Sequence, residues 1–534
     1  MHQPTTETAR MRYWLAAAAA LLLLNFAPSF HNIWPTPWIT MRAELSMEAA
    51  AVVLVLGLHF RYLGRPSNRM LAVATGVLFM LMLGRYMEVT APALYGRGVN
   101  LYWDAQYLPA VAAMLAGAMP AYIGALVITG LIALVFVCVR TLYWALTRVR
   151  DLLERPRVAG NLRNAAAALV ALYLVSYYAS LPTLQLFSIP VTQTYARQAG
   201  FVLSALSGEA SASLPVDSPL NEIDTRTLPD HDVIVTFVES YGAVAWDEAS
   251  IAAALETPRQ GMLAAIEETG RHVVSAYVEA PTFGGGSWLS HASFMSGIEV
   301  LDAASYDALL TQSRRTLPRM FADAGFRTVA LMPGLKNQWP EGSFYGFDTI
   351  YGESLLDYAG PAFGWWRIPD QFALARLDEL ELSDDSRAPV FVFFPTISTH
   401  MPFRPTPPYQ PDWQRFATDS PFQPEVLADV LEQSPQWSDL RPAYADALAY
   451  TWDYWSGYLR SRRERDFLLV LLGDHQPPAS VSGEGARWHV PVHVVSSDTE
   501  LVDRLLKAGF QTGLTPGPSP VAAMHELGPL LLRR

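Results

Sequence analysis

Three near-continuous apolar runs in this chain each end on side chains suited to acid, base or metal chemistry. Glu239 follows Asp232–Val238 (DVIVTFV), His400 follows the run Phe391–Pro395, and Asp474 and His475 follow Phe467–Leu472. Alone, Glu239 is compatible with an ordinary loop carboxylate. Asp474–His475 is the stronger signal, because a carboxylate and an imidazole leave the strand together and the stiff pair Pro477–Pro478 comes next. Carboxylate oxygens and imidazole nitrogens are hard to borderline ligands that suit Zn²⁺ or Mn²⁺.

A fourth stretch, PTFGGGSWLSHASFMSG from Pro281 to Gly297, reads as a glycine loop that opens a small-residue helix. Glycines allow backbone N–H groups to approach an anion, and a hydroxyl at the helix start sits at the positive end of the dipole. Ser287 is the candidate nucleophile there, although a plain glycine loop with a helix N-cap has the same appearance. Gly284–Gly286 lacks the GxxxxGK[ST] arrangement, so a nucleotide P-loop is not supported. His400, in Thr399–Phe403 (THMPF), and His489, in Trp488–Pro491 (WHVP), are candidates for binding phosphate or passing a proton to a leaving oxygen.

The elements that must position these residues read as a layered α/β domain. The three runs are near-continuous in Val, Ile, Leu and Phe, as parallel strands covered on both faces are. Shorter strands are expected at His272–Val278, Arg327–Leu331 and Val490–Ser496. Helices are expected at Ile251–Glu268, Thr316–Ala324, Pro424–Leu431, Ala443–Arg460 and Thr499–Lys507. In such a domain ligands bind beyond the carboxyl ends of the strands, where Glu239, His400 and Asp474–His475 converge.

The chain has 534 residues, of which 51% are hydrophobic and 16% charged. It is too apolar for an ordinary soluble enzyme of this size. A net charge of −12, from 38 basic and 50 acidic residues, excludes a nucleic-acid surface. The single cysteine, Cys138, excludes a disulfide framework and a thiolate cluster.

The long apolar runs fall before residue 182, with about five spans expected near Trp14–Phe30, Met47–Phe60, Met70–Gly84, Tyr122–Val139 and Asn164–Leu181. A cytoplasmic N-terminus puts the arginine clusters at 61–69 and 148–163 on the inner side. An odd number of spans then places everything after Leu181 outside. Tyr102–Pro120 reads as an interfacial or re-entrant segment. The expected organisation is a transmembrane domain over 1–181, a partly interfacial connector over 182–227 and an extracytoplasmic catalytic α/β domain over 228–534.

Taken together, these motifs resemble the membrane-anchored branch of the alkaline phosphatase/sulfatase superfamily, which contains lipoteichoic acid synthases, periplasmic glucan phosphoglycerol transferases and lipid A phosphoethanolamine transferases. The resemblance rests on Val235–Gly242 (VTFVESYG), the S-x-x-S-H-A-x-F-M-S-G stretch from Ser287, Thr396–Phe403 (TISTHMPF), Leu471–His475 (LLGDH) and His489–Pro491 (HVP). It implies a helical transmembrane bundle joined to an extracytoplasmic domain of alkaline phosphatase/sulfatase type. It also implies one divalent metal ion, Mn²⁺ or Zn²⁺, held by Glu239, Asp474, His475 and the nucleophile Ser287, with His400 and His489 around the donor and acceptor groups. Membrane transferases of this branch usually carry threonine at the nucleophile, so Ser287 is a departure. The cysteine that sulfatases convert to formylglycine is absent.

The glycerol-phosphate cluster of lipoteichoic acid synthases is matched at Trp339, with Met332 at the histidine position and Glu341 at the arginine position. The phosphoethanolamine transferases' disulfides are missing. The resemblance therefore implies a metal-dependent transferase of the bacterial inner membrane. It would move phosphoglycerol from a phospholipid donor in the bilayer to an envelope glycan or glycolipid through a covalent Ser287 intermediate, with no nucleic-acid partner. Phosphoethanolamine transfer, a membrane-bound phosphatase or phosphodiesterase, and a non-catalytic envelope scaffold are the alternatives.

Overall fold

The computed structural model describes residues 6–95, 98–105, 108–109, 111–113, 120–179, 181–207, 214–215, 217–337, 339–384, 386–418 and 420–533. The chain forms two compact units, one of Met1–Leu94 with Gly98–Leu206, the other essentially Ser207–Arg534.

The first unit is helical, with α1 (Thr6–Phe26), α2 (Met47–Leu63), α3 (Asn68–Tyr95), α4 (Ala121–Leu153), α5 (Pro156–Tyr178) and α6 (Val191–Ser207). A short antiparallel pair, β1 (His31–Asn32) with β2 (Ile39–Thr40), joins α1 to α2. Among the described residues, three helices are long and apolar enough to cross a membrane: Asn68–Leu94, Ala121–Leu153 and Pro156–Tyr178. The first half of α4 presents Leu126, Ile132 and Phe136 with two-thirds of their surface free, as a lipid-facing helix does. Helices also stand at the first two expected spans, but α2 has 17 residues. At 1.5 Å per residue that is about 25 Å, short of a ~30 Å hydrocarbon core. Much of the expected interfacial segment Tyr102–Pro120, namely 106–107, 110 and 114–119, lies outside the described residues, as do 208–213 and 216 of the connector.

The second unit is built on a nine-stranded sheet. Its strands are β3 (Asp232–Val238), β4 (His272–Glu279), β5 (Arg327–Leu331), β6 (Thr349–Tyr351), β7 (Val390–Pro395), β8 (Phe467–Gly473), β9 (His489–Ser496), β10 (Gln511–Thr512) and β11 (Pro520–Ala523). They run in the order β10-β4-β9-β8-β3-β7-β5-β6, with β11 also paired to β4. The centre is parallel, β3 lying between β8 and β7. The sheet is mixed, because β9 runs antiparallel to both β8 and β4.

Alternation along the strands supplies two cores. Ile234, Val238, Leu469 and Leu471 face α7 (Glu256–Glu268) and α10 (Arg441–Ser461), where Met262, Tyr444 and Trp455 are buried. Val233, Val235, Phe237, Leu468 and Val470 face α8 (Ser287–Ser296) and α11 (Met524–Leu532), whose Phe294 and Leu527 complete the second core. The single helix expected over Ile251–Glu268 is instead two, Ala249–Ala254 and α7. Pro258 explains the break, since it has no N–H to give the carbonyl of Ala254. Another helix, α9 (Asp370–Glu381), packs beside β7.

The start of β3 is pinned by Asp232, which is buried. Its carboxylate accepts two bonds from Arg387, at 2.7 and 2.6 Å, and one from the Val390 N–H at 2.9 Å. Asp232→Ala strands a partly buried guanidinium and an unpaired strand N–H, so it is expected to cost roughly 2 kcal/mol. Urea unfolding followed by tryptophan fluorescence checks this, through a lower midpoint at unchanged slope.

Candidate metal and nucleophile site

The site begins where β3 and β8 end. In register, Val238 pairs with Gly473, so the next residues, Glu239 and Asp474, leave neighbouring parallel strands side by side. The chains can come this close because Gly473 has no side chain: a Cβ there would lie 1.8 Å from the Tyr241 carbonyl oxygen. Ser240 turns the chain with a left-handed φ of 57°. Its N–H donates to Asp474 Oδ1 at 2.8 Å, and the same oxygen accepts the His475 N–H at 2.7 Å. Tyr444 Oη from α10 donates to the Ser240 carbonyl at 2.8 Å and locks the turn.

Ser287 reaches this edge from β4. Gly284, Gly285 and Gly286 all have positive φ, at 65°, 139° and 81°, a path that favours glycine. The Gly284 N–H donates to the Gln476 carbonyl at 3.0 Å, and Thr282 Oγ1 to the Gly285 carbonyl at 2.6 Å. Ser287 is then the first residue of α8, where the helix dipole favours negative charge on its oxygen. One turn on, Ser290 Oγ donates to the Asp474 carbonyl at 2.6 Å and fastens α8 to the end of β8.

These ties bring four groups together. Ser287 Oγ lies 3.0 Å from Glu239 Oε2 and 3.1 Å from His475 Nε2. His475 Nδ1 is 2.7 Å from the Gln476 carbonyl, which can only accept. Nδ1 therefore carries the proton, and the Nε2 lone pair faces the serine and both carboxylates, 3.5 Å from Glu239 and 3.7 Å from Asp474. Ligand atoms of Glu239, Asp474 and His475 all lie within 4.8 Å of one another, and all three residues are buried.

The electrostatics of the site favour a cation. Burial and the Glu239 carboxylate push Asp474 well above the usual carboxylate range. Burial also raises Glu239, but His475 and His400 outweigh it and bring the group down to about 2. Burial pushes His475 down. Among the described residues, neither carboxylate forms an ion pair with a lysine or arginine, and the His475 nitrogen beside them offers a lone pair. Two buried carboxylates without lysine or arginine are costly, and a divalent cation on this oxygen and nitrogen set would offset the cost. The donors therefore fit a metal of the Mn²⁺ or Zn²⁺ class.

The remaining residues expected from sequence are placed differently. His400 stands within electrostatic reach of Glu239 and His475, on the turn after β7. Its Nδ1 is 2.7 Å from the Met401 carbonyl, and its ring meets Trp366 edge-on at 4.7 Å. His489 stands at the start of β9, with its ring 6.0 Å from Tyr277. Burial and Arg487 lower its pKa, against Glu279 and Asp247, and its buried Nδ1 has no partner among the described residues. Trp339 stacks on Tyr345 at 5.4 Å and packs against the second core. The structure thus gathers Glu239, Ser287, Asp474 and His475 by direct contact, adds His400 through its field, and gives neither His489 nor Trp339 a contact with that cluster.

One side chain that sequence reasoning passed over also belongs here. His291, a helical turn after Ser287, stands against Phe237 and Phe393, and its buried Nε2 has no partner among the described residues. Burial pushes it down to about 3, with Glu239 and His475 in reach of it. Its i+4 spacing from Ser287 on one helix face was the available signal.

The family model described as Sulfatase matches residues 281–502. No curated protein matches the chain. Similar solved structures include the lipoteichoic acid synthase LtaP from Listeria monocytogenes, 12% identical, covering 55% of this chain and 71% of that one, with a TM-score of 0.35. The Streptococcus pyogenes phosphoglycerol transferase GacH is 13% identical, over 56% and 75%, with a TM-score of 0.34. The lipooligosaccharide phosphoethanolamine transferase EptA from Neisseria meningitidis is 13% identical, over 84% and 88%, with a TM-score of 0.43.

Because ligation requires deprotonated donors and burial holds the Asp474 proton, divalent-metal uptake is expected to release protons and to weaken as the pH falls. Elemental analysis of purified protein should find about one metal ion in the wild type and none in Asp474→Ala.

Proposed function

We propose, from a chain whose residues 281–502 match the family model described as Sulfatase, a metal-dependent transferase that moves phosphoglycerol from a membrane phospholipid to an envelope glycan or glycolipid, through a covalent intermediate on Ser287. The observation that carries this reading is the Ser287 hydroxyl held between Glu239 and His475 beside the buried Asp474. A nucleophile on oxygen, rather than a converted cysteine, supports chemistry at phosphorus. The three apolar helices support a lipid donor. In this reading the second unit stands on the extracytoplasmic side of a bacterial inner membrane.

A divalent ion held by Glu239, Asp474, His475 and the Ser287 oxygen would supply positive charge that favours the alkoxide and neutralises phosphoryl oxygens. Ser287 Oγ attacks the head-group phosphorus and gives its proton to Glu239 Oε2, which accepts its hydrogen bond at 3.0 Å. The backbone N–H groups at the start of α8 face the developing negative charge. The bond from phosphorus to the diacylglycerol oxygen breaks, and His400 protonates that oxygen. In the second half the acceptor hydroxyl loses its proton to His400 and attacks the same phosphorus, and Ser287 departs with its proton restored. His489, at the start of β9, and Trp339 would serve the acceptor and head group.

Mass spectrometry of wild type and Ser287→Ala in detergent, with phosphatidylglycerol or phosphatidylethanolamine and Mn²⁺ or Zn²⁺, tests the proposal. A glycerol-phosphate adduct on the wild type with diacylglycerol release, reduced roughly 10³-fold or more in Ser287→Ala, is the expected result. An ethanolamine-phosphate adduct would move the reading to phosphoethanolamine transfer. No diacylglycerol from either lipid would overturn a phospholipid donor.

A further inference from the structure

The turn that carries His400 is built on a carboxylate that no step above uses. Asp370 opens α9 and is fully buried. Its Oδ1 accepts the Ile397 N–H and its Oδ2 the Ser398 N–H, both at 2.8 Å. The His400 N–H closes the same turn onto the Ile397 carbonyl at 3.0 Å, and the Phe403 N–H bonds the His400 carbonyl at 2.9 Å. On the other side, the Thr396 N–H extends the pairing of β3 with β7 by donating to the Phe237 carbonyl at 2.8 Å, and Thr396 Oγ1 accepts the Glu239 N–H at 3.2 Å. One short segment thus connects the carboxylate at the end of β3 to the imidazole at the end of the turn.

Asp370 forms no ion pair among the described residues. Burial pushes its pKa up to about 6, against the bonds from Ser398 and Ile397. An uncompensated carboxylate in a core is a cost that an ordinary helix start does not require. The next residue does related work: Gln371 Nε2 donates to the Gln410 carbonyl at 2.6 Å, and its Oε1 accepts the Gln410 N–H at 3.0 Å, so the start of α9 pins two loops.

We infer that Asp370 is a positioning residue for the transfer reaction, whose two carboxylate oxygens hold the 396–400 turn and thereby set the His400 imidazole against Trp366 and toward the Glu239–His475 pair. The inference rests on the proposed role of His400 as the group that carries the proton. Asparagine is nearly the same size but can accept only one of the two N–H groups, and its own NH₂ would face the other donor. The turn is then released on one side without a cavity being opened.

The test is hydrogen–deuterium exchange on the full-length protein in detergent, together with head-group release by wild type, Asp370→Asn, His400→Ala and the double variant. Asp370→Asn is expected to exchange the Ile397 and Ser398 amides at least tenfold faster, with β7 and bound metal unchanged. Release should fall by roughly tenfold. In the His400→Ala background the same change should cost less than about twofold, because a residue that acts through His400 has nothing left to position. Unchanged exchange at 397–398 overturns the inference, and so does an equal loss in both backgrounds. Asp370→Ser, which leaves room for water, supplies the same readings if the asparagine variant does not fold. Absence of release by the wild type would overturn the transfer reading, while the exchange measurement still decides whether Asp370 holds the turn.

Discussion

Two carboxylates, Glu239 and Asp474, are buried side by side at the ends of adjacent parallel strands with no lysine or arginine paired to either among the described residues, and the turns around them serve to tolerate them. Each charge removed from water costs several kcal/mol, more than the hydrogen bonds it receives can return. Asp474 takes two backbone N–H groups, from Ser240 and His475. Glu239 takes the hydroxyls of Ser240 and Ser287, at 3.1 and 3.0 Å. The deficit that remains is what a divalent cation would fill. Gly473 and the left-handed Ser240 follow from the same demand, because they let two strand ends close around one point.

Strand direction explains why groups so far apart in sequence share one edge. β8, β3 and β7 run parallel as neighbours, so His475, Glu239 and His400 emerge together. β9 is antiparallel to both β8 and β4, which makes β4 parallel to β3. The carboxyl end of β4 therefore delivers the glycine loop and Ser287 to the same edge, and β9 begins there with His489. A purely parallel sheet would have put the start of β9 on the far edge. The mixed topology is thus part of the site's architecture.

What was legible in the sequence was what depends on continuous burial. Strands covered on both faces must be apolar throughout, so β3, β7 and β8 and the polar residues that end them stood out. Antiparallel insertion left no such mark, since the covered strand β9 has the same composition either way. His489 and Trp339 shared motif resemblance with the other site residues, but their contacts are made with Tyr277 and Tyr345, through packing that spacing does not encode. Asp370 was unreadable for another reason: it acts on backbone N–H groups, which every residue but proline carries. The break before α7 could have been read from Pro258, because a missing donor is a local property.

The two halves of the site are held in different ways, and the difference suits the chemistry proposed. Ser287 sits on a helix fastened by Ser290 to the Asp474 carbonyl, so the proposed nucleophile and metal ligands share one frame. His400 sits on a turn whose anchors are backbone bonds to Asp370 and a ring contact with Trp366. A group that first protonates a departing lipid oxygen and then deprotonates an incoming acceptor must meet two different partners. A nucleophile and its ligands must not move between those steps, because misplacement of about 1 Å is enough to cost ~10²-fold in rate. Placing the first set on a fastened helix and the second on a separately anchored turn suits both requirements.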